Sequence, residues 1–271
     1  MKKIIAKTLI NVVLLWVAAG AAFIFLPLPG QIPVLMYHFI DTPERAAKEK
    51  NVVSRKSFER QVGFLHRFGY HVISLEQYEA IRTGKQKPRG REVVLTFDDG
   101  NYSFAQQAFP ILKKFEMPVS LFLISGALEE GLYGSMKKET ILQLAQYPWI
   151  TIGSHSRTHP LLSKLTEDQI RVELAGSKKD LETLLNRPIV YFAYPGGNLD
   201  DRVARLTEES GYHLAFTTSP KKLKTLDGSR LYGLTRVKVS HTSDWMPLFW
   251  IRVSGLTDMG KFLMERIKRR F

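Results

Sequence analysis

The spacing of apolar and polar residues changes repeatedly along the chain after Pro33. Short runs rich in β-branched and aromatic residues, typical of strands, alternate with longer segments whose apolar residues recur at helical spacing. This alternation predicts βα units and therefore a parallel sheet or barrel. The predicted strands are 34–37, 71–74, 92–97, 119–124, 149–152, 190–193, 213–217 and 234–239, and the predicted helices are 57–68, 75–82, 104–115, 137–147, 167–185 and 201–210.

Two of the predicted helices begin with a recognisable signal. Ser74-x-x-Gln77 and Thr166-x-x-Gln169 resemble capping boxes, in which the two side chains satisfy backbone N–H groups that the first helical turn leaves free. Residues 244–271 have the pattern of a final amphipathic helical region.

An apolar stretch at residues 8–28, broken only by Thr8 and Asn11, differs from everything that follows it. About 20 such residues suffice to span a bilayer, and Lys2, Lys3 and Lys7 would stay cytoplasmic under the positive-inside rule. We therefore expect one N-terminal transmembrane helix in a single-pass protein of the bacterial cell membrane. All residues after Pro29 would lie on the outer side.

Cleavage is the alternative for this segment. Ala19-Gly20-Ala21 has the small-x-small form of a signal-peptidase site, which would give a secreted protein. The apolar run at residues 23–26 continues past that point and favours an uncleaved anchor. In either case residues 1–29 form a signal anchor or signal peptide with its linker, and residues 30–271 form one catalytic domain.

Composition limits the remaining possibilities. A chain of 271 residues with 44% hydrophobic content can bury one sizeable core, and we expect a monomer. The net charge of +13 favours contact with anionic surfaces. Nucleic acid is not expected as a partner, because an exported domain without a basic and aromatic recognition motif fits it poorly. The absence of cysteine excludes disulfides, thiolate metal sites and a cysteine nucleophile.

The segment Thr96-Phe97-Asp98-Asp99-Gly100 follows a predicted strand, which is where parallel α/β folds place their active sites. Two adjacent carboxylates repel each other unless a cation or a proton neutralises them, so a metal site is one interpretation. An ordinary Asp-Asp-Gly turn is the other.

The segment His155-Ser156-Arg157-Thr158-His159 follows another predicted strand. Histidines four residues apart can present two imidazoles to one metal. Together with one carboxylate they complete the ligand set of a catalytic Zn²⁺ or similar divalent site. The alternative is a pair of histidines that only form hydrogen bonds near the surface. A third strand ends in Tyr194-Pro195-Gly196-Gly197, a tight turn whose backbone N–H groups could face a ligand.

Together these three segments resemble the polysaccharide deacetylases of carbohydrate esterase family 4, the NodB-homology domain. Thr-Phe-Asp-Asp-Gly and His-Ser-x-x-His are the first two motifs of that family in the same order, and the resemblance covers residues 33–239. The opening at residues 33–38 and the Phe-Ala-Tyr-Pro form of the third motif are similar to the poly-β-1,6-N-acetylglucosamine deacetylase branch. The resemblance implies an α/β fold, namely a distorted (β/α) barrel with seven to eight strands preceded by the transmembrane helix.

The resemblance also implies an activity and a set of roles. We expect a metal-dependent hydrolase that removes N-acetyl groups from an extracellular or cell-wall polysaccharide containing N-acetylglucosamine, such as a biofilm polymer. Asp99, His155 and His159 would bind a divalent metal, Zn²⁺ or alternatively Co²⁺ or Ni²⁺. Asp98 would act as the general base, and the backbone N–H of Tyr194 would stabilise the oxyanion.

Two features depart from the family pattern. The arginine that usually orients the base is absent from the third motif, and Arg236 is a candidate replacement. No Leu-x-His motif supplies a general acid, so His241, oriented by Asp244, is a candidate, and His38 is a further residue expected to line the site. Two alternative functions stay open: an O-acetyl esterase acting on a polysaccharide, and a catalytically weak polysaccharide-binding protein.

Overall fold

The computed structural model describes residues 32–128, 134–218 and 229–254. The strands in these ranges are β1 (Val34–Tyr37), β2 (Phe39–Asp41), β3 (Val52–Ser54), β4 (His71–Val72), β5 (Glu92–Phe97), β6 (Val119–Leu123), β7 (Ile150–Ser154), β8 (Tyr191–Ala193), β9 (Leu214–Thr217), β10 (Leu234–Thr235) and β11 (Val237–Lys238). The α-helices are α1 (Pro43–Lys48), α2 (Arg55–Arg67), α3 (Leu75–Arg82), α4 (Phe109–Lys113), α5 (Lys138–Leu144), α6 (Glu167–Leu185), α7 (Asp201–Glu209), α8 (Ser229–Tyr232) and α9 (Met246–Val253).

The strands build a parallel, nearly closed barrel. Their order is β10-β9-β8-β7-β6-β5-β1-β11, and the short strand β4 pairs with the start of β5. Only Arg236 separates β10 from β11, and these two halves of one strand pair with β9 and β1 respectively. This interrupted strand therefore joins the two ends of the sheet. The predicted α/β barrel is confirmed, and each of the eight predicted strands has a counterpart.

The barrel interior changes from apolar to polar along β5. Val94 packs with Phe122 and Phe216 in the smaller buried cluster, whereas its two neighbours along the strand pack in the larger core. Thr96 and Asp98 follow Val94 at two-residue spacing, so they point to the same face as Val94. The interior face of β5 thus ends in a carboxylate at the carboxyl end of the strand.

Two parts of the fold differ from what the sequence pattern predicted. β2, α1 and β3 form a small parallel two-stranded sheet unit that was not predicted, because strands of three residues are too short to show a period. The predicted helix 104–115 begins as a π-helix, Phe104–Ala108, and continues as α4. Pro110 has no N–H to donate to the preceding turn, which disfavours regular α-helical bonding there.

Both predicted capping boxes are confirmed. Ser74 and Gln77 cap α3 reciprocally, and Thr166 and Gln169 cap α6 in the same way. The predicted membrane segment at residues 8–28 and the tail residues 255–271 lie outside the described residues. Among the residues that are described, no helix is both long enough and apolar enough to cross a membrane.

Candidate active site and metal centre

The first two motifs meet at the carboxyl edge of the barrel. Asp98 and Asp99 follow β5, His155 and His159 follow β7, and β6 lies between these strands. Asp99 Oδ1 is 3.6 Å from Nε2 of His155 and 3.6 Å from Nε2 of His159. One ligand atom from each of the three side chains lies within 4.8 Å of the others. The structure therefore brings together the three predicted metal ligands, whose metal-binding role stays a prediction.

The backbone after β5 explains how two consecutive aspartates face one site. In a strand Asp98 and Asp99 would point to opposite faces. Asp99 instead adopts a left-handed φ of 67°, and Gly100 follows with a φ of 66°. The left-handed φ of Gly100 favours glycine, and a Cβ there would also lie 2.7 Å from Cδ2 of Leu123.

The histidine segment is held in an unusual backbone shape. Ser156 and His159 both have left-handed φ values, 67° and 63°, and the His159 N–H donates to Ser156 Oγ at 3.0 Å. His155 Nδ1 lies 2.7 Å from the carbonyl oxygen of Ala193 in β8. Because that oxygen can only accept, Nδ1 carries the proton and the Nε2 lone pair faces Asp99.

The electrostatics of this cluster suit a divalent cation. Burial lowers the pKa of His155 to about 4 and also lowers the pKa of His159, so both imidazoles are neutral at pH 7. Burial raises the pKa of the Asp99 carboxyl, because a charge there is poorly solvated. Two neutral nitrogen donors and one carboxylate that gains from a nearby cation match the donor set of a catalytic zinc-type site.

Asp98 is bound by Arg236, the residue that separates β10 from β11. Nη1 and Nη2 of Arg236 each donate to one Asp98 oxygen at 2.6 Å, and Nη1 also donates to Thr96 Oγ1 at 3.1 Å. Burial raises the pKa of Asp98, but the charge of Arg236 and its hydrogen bonds outweigh burial and lower that pKa to about 2. Asp98 is therefore ionised at neutral pH, and Arg236 occupies the place expected for the partner of the base.

The third motif differs from the prediction in its hydrogen bonding. The Tyr194 N–H donates to Phe216 O at 2.9 Å, and its buried hydroxyl donates to Tyr232 O at 2.9 Å. The backbone donor expected to stabilise the oxyanion is thus already used in the barrel ladder, a constraint that the sequence does not reveal. The next free candidate is Gly196, an exposed residue whose N–H has no hydrogen-bond partner among the described residues.

His38 and His241, the two histidines predicted to lie near the metal ligands, differ in their surroundings. His38 directly follows β1, its Nδ1 is buried without a partner in the described chain, and its charge interacts with those of Asp98 and Asp99. Burial lowers the pKa of His38, while the two carboxylates act in the opposite direction. His241 begins a 3₁₀ turn after β11 and also has an unpartnered Nδ1. Asp244 accepts from Ser54 Oγ at 3.4 Å, and no bond to His241 is present among the described residues.

One buried residue at the site was not predicted from the sequence. Glu173 on α6 is buried and bonds to the segment between His155 and His159. Ile170, Glu173 and Ser177 lie on one buried face of α6, so a carboxylate interrupts a face that should hold only apolar or small side chains. That interruption is the signal by which the sequence could have indicated it.

Comparisons with known proteins agree with this geometry. The family model for polysaccharide deacetylases matches residues 85–215. The chain is 32% identical over 212 residues to YxkH of Bacillus subtilis, which is named as a polysaccharide deacetylase, and the match covers 78% of this chain and 72% of YxkH. It is 25% identical over 199 residues to the poly-β-1,6-N-acetyl-D-glucosamine N-deacetylase of Staphylococcus aureus strain N315, covering 69% and 68% of the two chains.

Two solved structures share the fold. The Streptococcus pyogenes deacetylase PplD, in complex with acetate, superposes with a TM-score of 0.69 at 27% identity, covering 79% of this chain and 94% of PplD. IcaB from Ammonifex degensii superposes with a TM-score of 0.69 at 26% identity, covering 83% and 95% of the two chains. By its sequence, its barrel and its site residues, the chain belongs to the polysaccharide deacetylase family.

Proposed function

We propose that this protein is a metal-dependent N-deacetylase that acts on a polysaccharide containing N-acetylglucosamine. The observation that carries the proposal is a buried Asp98, bound by Arg236, whose Oδ2 is 3.9 Å from His155 Nε2, beside the carboxylate and two imidazoles that could hold a metal. The name of the S. aureus relative gives poly-β-1,6-N-acetyl-D-glucosamine as its substrate, which supports this polymer class.

Each residue has a defined part in the proposed reaction. Asp99, His155 and His159 would hold a divalent ion, which supplies a Lewis acid for the acetyl carbonyl and lowers the pKa of bound water. Asp98 takes a proton from the attacking water as general base, and Arg236 keeps Asp98 ionised and oriented. His241, the candidate from the sequence, and His38, whose charge interacts with those of Asp98 and Asp99, are the two residues that we propose for protonation of the departing amine.

The oxyanion of the tetrahedral intermediate needs a backbone donor as well. We assign this role to the Gly196 N–H, since the Tyr194 N–H is bonded to Phe216. Gly196 has a left-handed φ of 60° in the turn after β8, and turns with such residues can present backbone N–H groups to an anion.

The proposal extends to location and assembly. The apolar run at residues 8–28, with Lys2, Lys3 and Lys7 before it, supports a single membrane anchor with the catalytic domain outside the cytoplasm. We propose a monomer, because one chain supplies all three residues that could hold the metal.

The decisive experiment measures amine release from β-1,6- and β-1,4-linked N-acetylglucosamine oligomers. The full-length chain is stripped of metal and reloaded with Zn²⁺, Co²⁺ or Ni²⁺. We expect metal to restore activity, Asp98→Asn to lower kcat by about 10²- to 10⁴-fold, and His155→Ala to abolish metal binding. Asp168→Asn, an exposed carboxylate on α6, is the matched control.

The same assay separates the alternatives. Release of acetate from O-acetylated xylan without amine release from the oligomers would replace the proposal by an O-acetyl esterase. Oligomer binding without turnover of either substrate would indicate a polysaccharide-binding protein. An unchanged rate in Asp98→Asn would contradict the assignment of the base.

A further inference from the structure

The carboxylate of Glu173 lies against the segment that joins the two histidines and takes no part in the chemistry proposed above. Glu173 is only 8% exposed. Its Oε2 accepts from the backbone N–H of Arg157 at 2.8 Å and from that of Thr158 at 2.9 Å, and its Oε1 accepts from the Thr158 hydroxyl at 2.6 Å. All three donors belong to the two residues immediately before His159.

This segment needs external support to keep its shape. Ser156 and His159 hold left-handed backbone conformations that are unfavourable for residues with a Cβ. Such conformations persist only where the surrounding contacts fix them. Arg157 provides a second attachment, since its Nε donates to Asp180 Oδ2 at 3.1 Å and its carbonyl accepts from the Gly126 N–H at 2.9 Å.

The nature of the contact points to placement of the backbone. A buried carboxylate is unfavourable unless hydrogen bonds compensate it, and an apolar side chain would fill the same volume without that requirement. Both oxygens of Glu173 are used on one short segment, which fixes the direction of two successive peptide planes. Those planes determine where the next residue, His159, presents its Nε2.

We propose that Glu173 is a positioning residue that sets the metal-binding geometry of His159. The assignment rests on the proposed function, because it requires a divalent ion at Asp99, His155 and His159. Helix α6 thus serves as the support for the second half of the ligand set. Glu173 itself does not contact the ion or the substrate.

The test measures the Zn²⁺ dissociation constant of the full-length chain by competition with a chromophoric chelator, and the visible spectrum of the Co²⁺ form. We expect Glu173→Ala to weaken Zn²⁺ binding about 10- to 100-fold, the usual effect of losing a group that orients a ligand, and to change the Co²⁺ bands. Glu167→Ala on the same helix is the control, because Glu167 is partly exposed and pairs with Arg205, not with the histidine segment.

Glu173→Gln distinguishes positioning from packing. The amide oxygen can accept both backbone N–H groups, and the amide NH₂ can donate to the Thr158 hydroxyl, which is also an acceptor. We therefore expect affinity and Co²⁺ spectrum to return nearly to those of the wild type. In the Glu173→Gln, Thr158→Val double variant the amide has no acceptor, and affinity should fall again. This pair carries the test if Glu173→Ala does not fold.

The experiments distinguish failure of the role proposed for Glu173 from failure of the proposed function. Equal Zn²⁺ affinity and equal Co²⁺ spectra in the wild type and Glu173→Ala would overturn the role of Glu173 and leave the metal site intact. Equal affinity of Glu173→Gln with and without Thr158→Val would also overturn it. Absence of Zn²⁺ binding by the wild type would overturn the proposed function itself.

Discussion

Arg236 controls the charge of the proposed base. Its two bonds to Asp98 are both 2.6 Å long, and the two side chains are almost fully buried. A buried pair of this kind adds little stability compared with apolar replacements, but removal of one partner leaves an uncompensated charge. At the scale of single residues, the ionised state of Asp98 therefore depends on one side chain, that of Arg236, from another strand of the barrel.

Substitution of Arg236 should change Asp98 from a residue that stabilises the fold at neutral pH into one that destabilises it. The folded-state pKa of Asp98, about 2, is below its ordinary value of 3.8, so in the wild type Asp98 stabilises the fold above pH 4 and loses this effect as pH falls to 2. In Arg236→Leu, burial alone would raise the pKa above 3.8, so the charged carboxylate would destabilise the fold at neutral pH. We expect a loss of about 3–5 kcal/mol at pH 7 that shrinks as pH falls through 4.

Urea unfolding of the metal-free protein at pH 7, 5 and 4 measures this difference. Arg236→Lys retains the positive charge without the two-pronged contact and should lie between the wild type and Arg236→Leu. Arg67→Leu removes an exposed arginine that has no acidic partner among the described residues, and it should show no such pH dependence. A difference that is constant from pH 7 to pH 4 would contradict the electrostatic account.

Individual residues differ in how far the sequence could predict them. Asp98, Asp99, His155 and His159 stand in two short motifs after predicted strands, so the shared carboxyl edge of a parallel fold predicted that they would lie close together. Arg236 could be proposed only as a candidate, because its contact with Asp98 depends on closure of the barrel. The hydrogen bond of the Tyr194 N–H to Phe216 was not predictable, since it depends on the register between β8 and β9.

At the scale of elements, β7 shows how tightly the strands that carry the site are packed. A Cβ at Gly153 would lie 2.7 Å from two ring atoms of Phe122 and 2.9 Å from the carbonyl oxygen of Tyr191. Gly153 directly precedes Ser154 and His155, and Phe122 in turn lies under the Arg236 guanidinium at 5.3 Å. A larger residue at this position would push apart the elements that hold the base and the first histidine.

Gly153→Ala should therefore destabilise the protein by about 1–3 kcal/mol, the usual effect of overpacking. Gly63→Ala is the matched control, because Gly63 lies within α2 and a Cβ there meets nothing within 4 Å. That variant should be stabilised by about 0.4–1 kcal/mol through a less flexible unfolded chain. Thermal and urea unfolding of both variants check the prediction, and equal stabilities would refute the packing argument.

The elements themselves were predictable where they are long and buried. Apolar runs located all eight barrel strands, and the polar signals at Ser74 and Thr166 located two helix starts. The unit of β2, α1 and β3 was not predictable from pattern, because its strands are short and pair only with each other. Three residue pairs join β2 to β3, and this pairing results from tertiary contacts and not from a local preference for strand structure.

At the scale of the whole molecule, closure of the barrel depends on a feature with no local signature. A hydrophobic period gives the number of strands but not which strands pair at the ends of the sheet. Pattern alone left an open sheet and a barrel as alternatives, and only the family resemblance favoured the barrel. The interruption at Arg236 lets one strand pair with β9 at its start and β1 at its end. The same interruption points the guanidinium at Asp98.

The proposed membrane anchor is tested by two charges placed in its apolar run. Arginine at the centre of a membrane helix costs about 2.5–3.5 kcal/mol, whereas near the end of the run its long side chain reaches the interface. We expect the wild type to remain in the membrane fraction after alkaline carbonate washing. The double variant Leu14→Arg, Leu15→Arg should be lost from that fraction. Leu28→Arg, at the edge of the run, should behave like the wild type.

The size of the wild-type protein then separates an anchor from a cleaved signal peptide. Cleavage near Ala21 would remove the whole positive cluster Lys2, Lys3 and Lys7, shorten the chain and release it from the membrane. An intact chain whose C-terminal domain is digested by protease added outside spheroplasts would place the catalytic domain outside the cytoplasm. Since a substrate polymer outside the cell is reachable only from that side, protection of the domain from the protease would contradict both the location and the proposed substrate class.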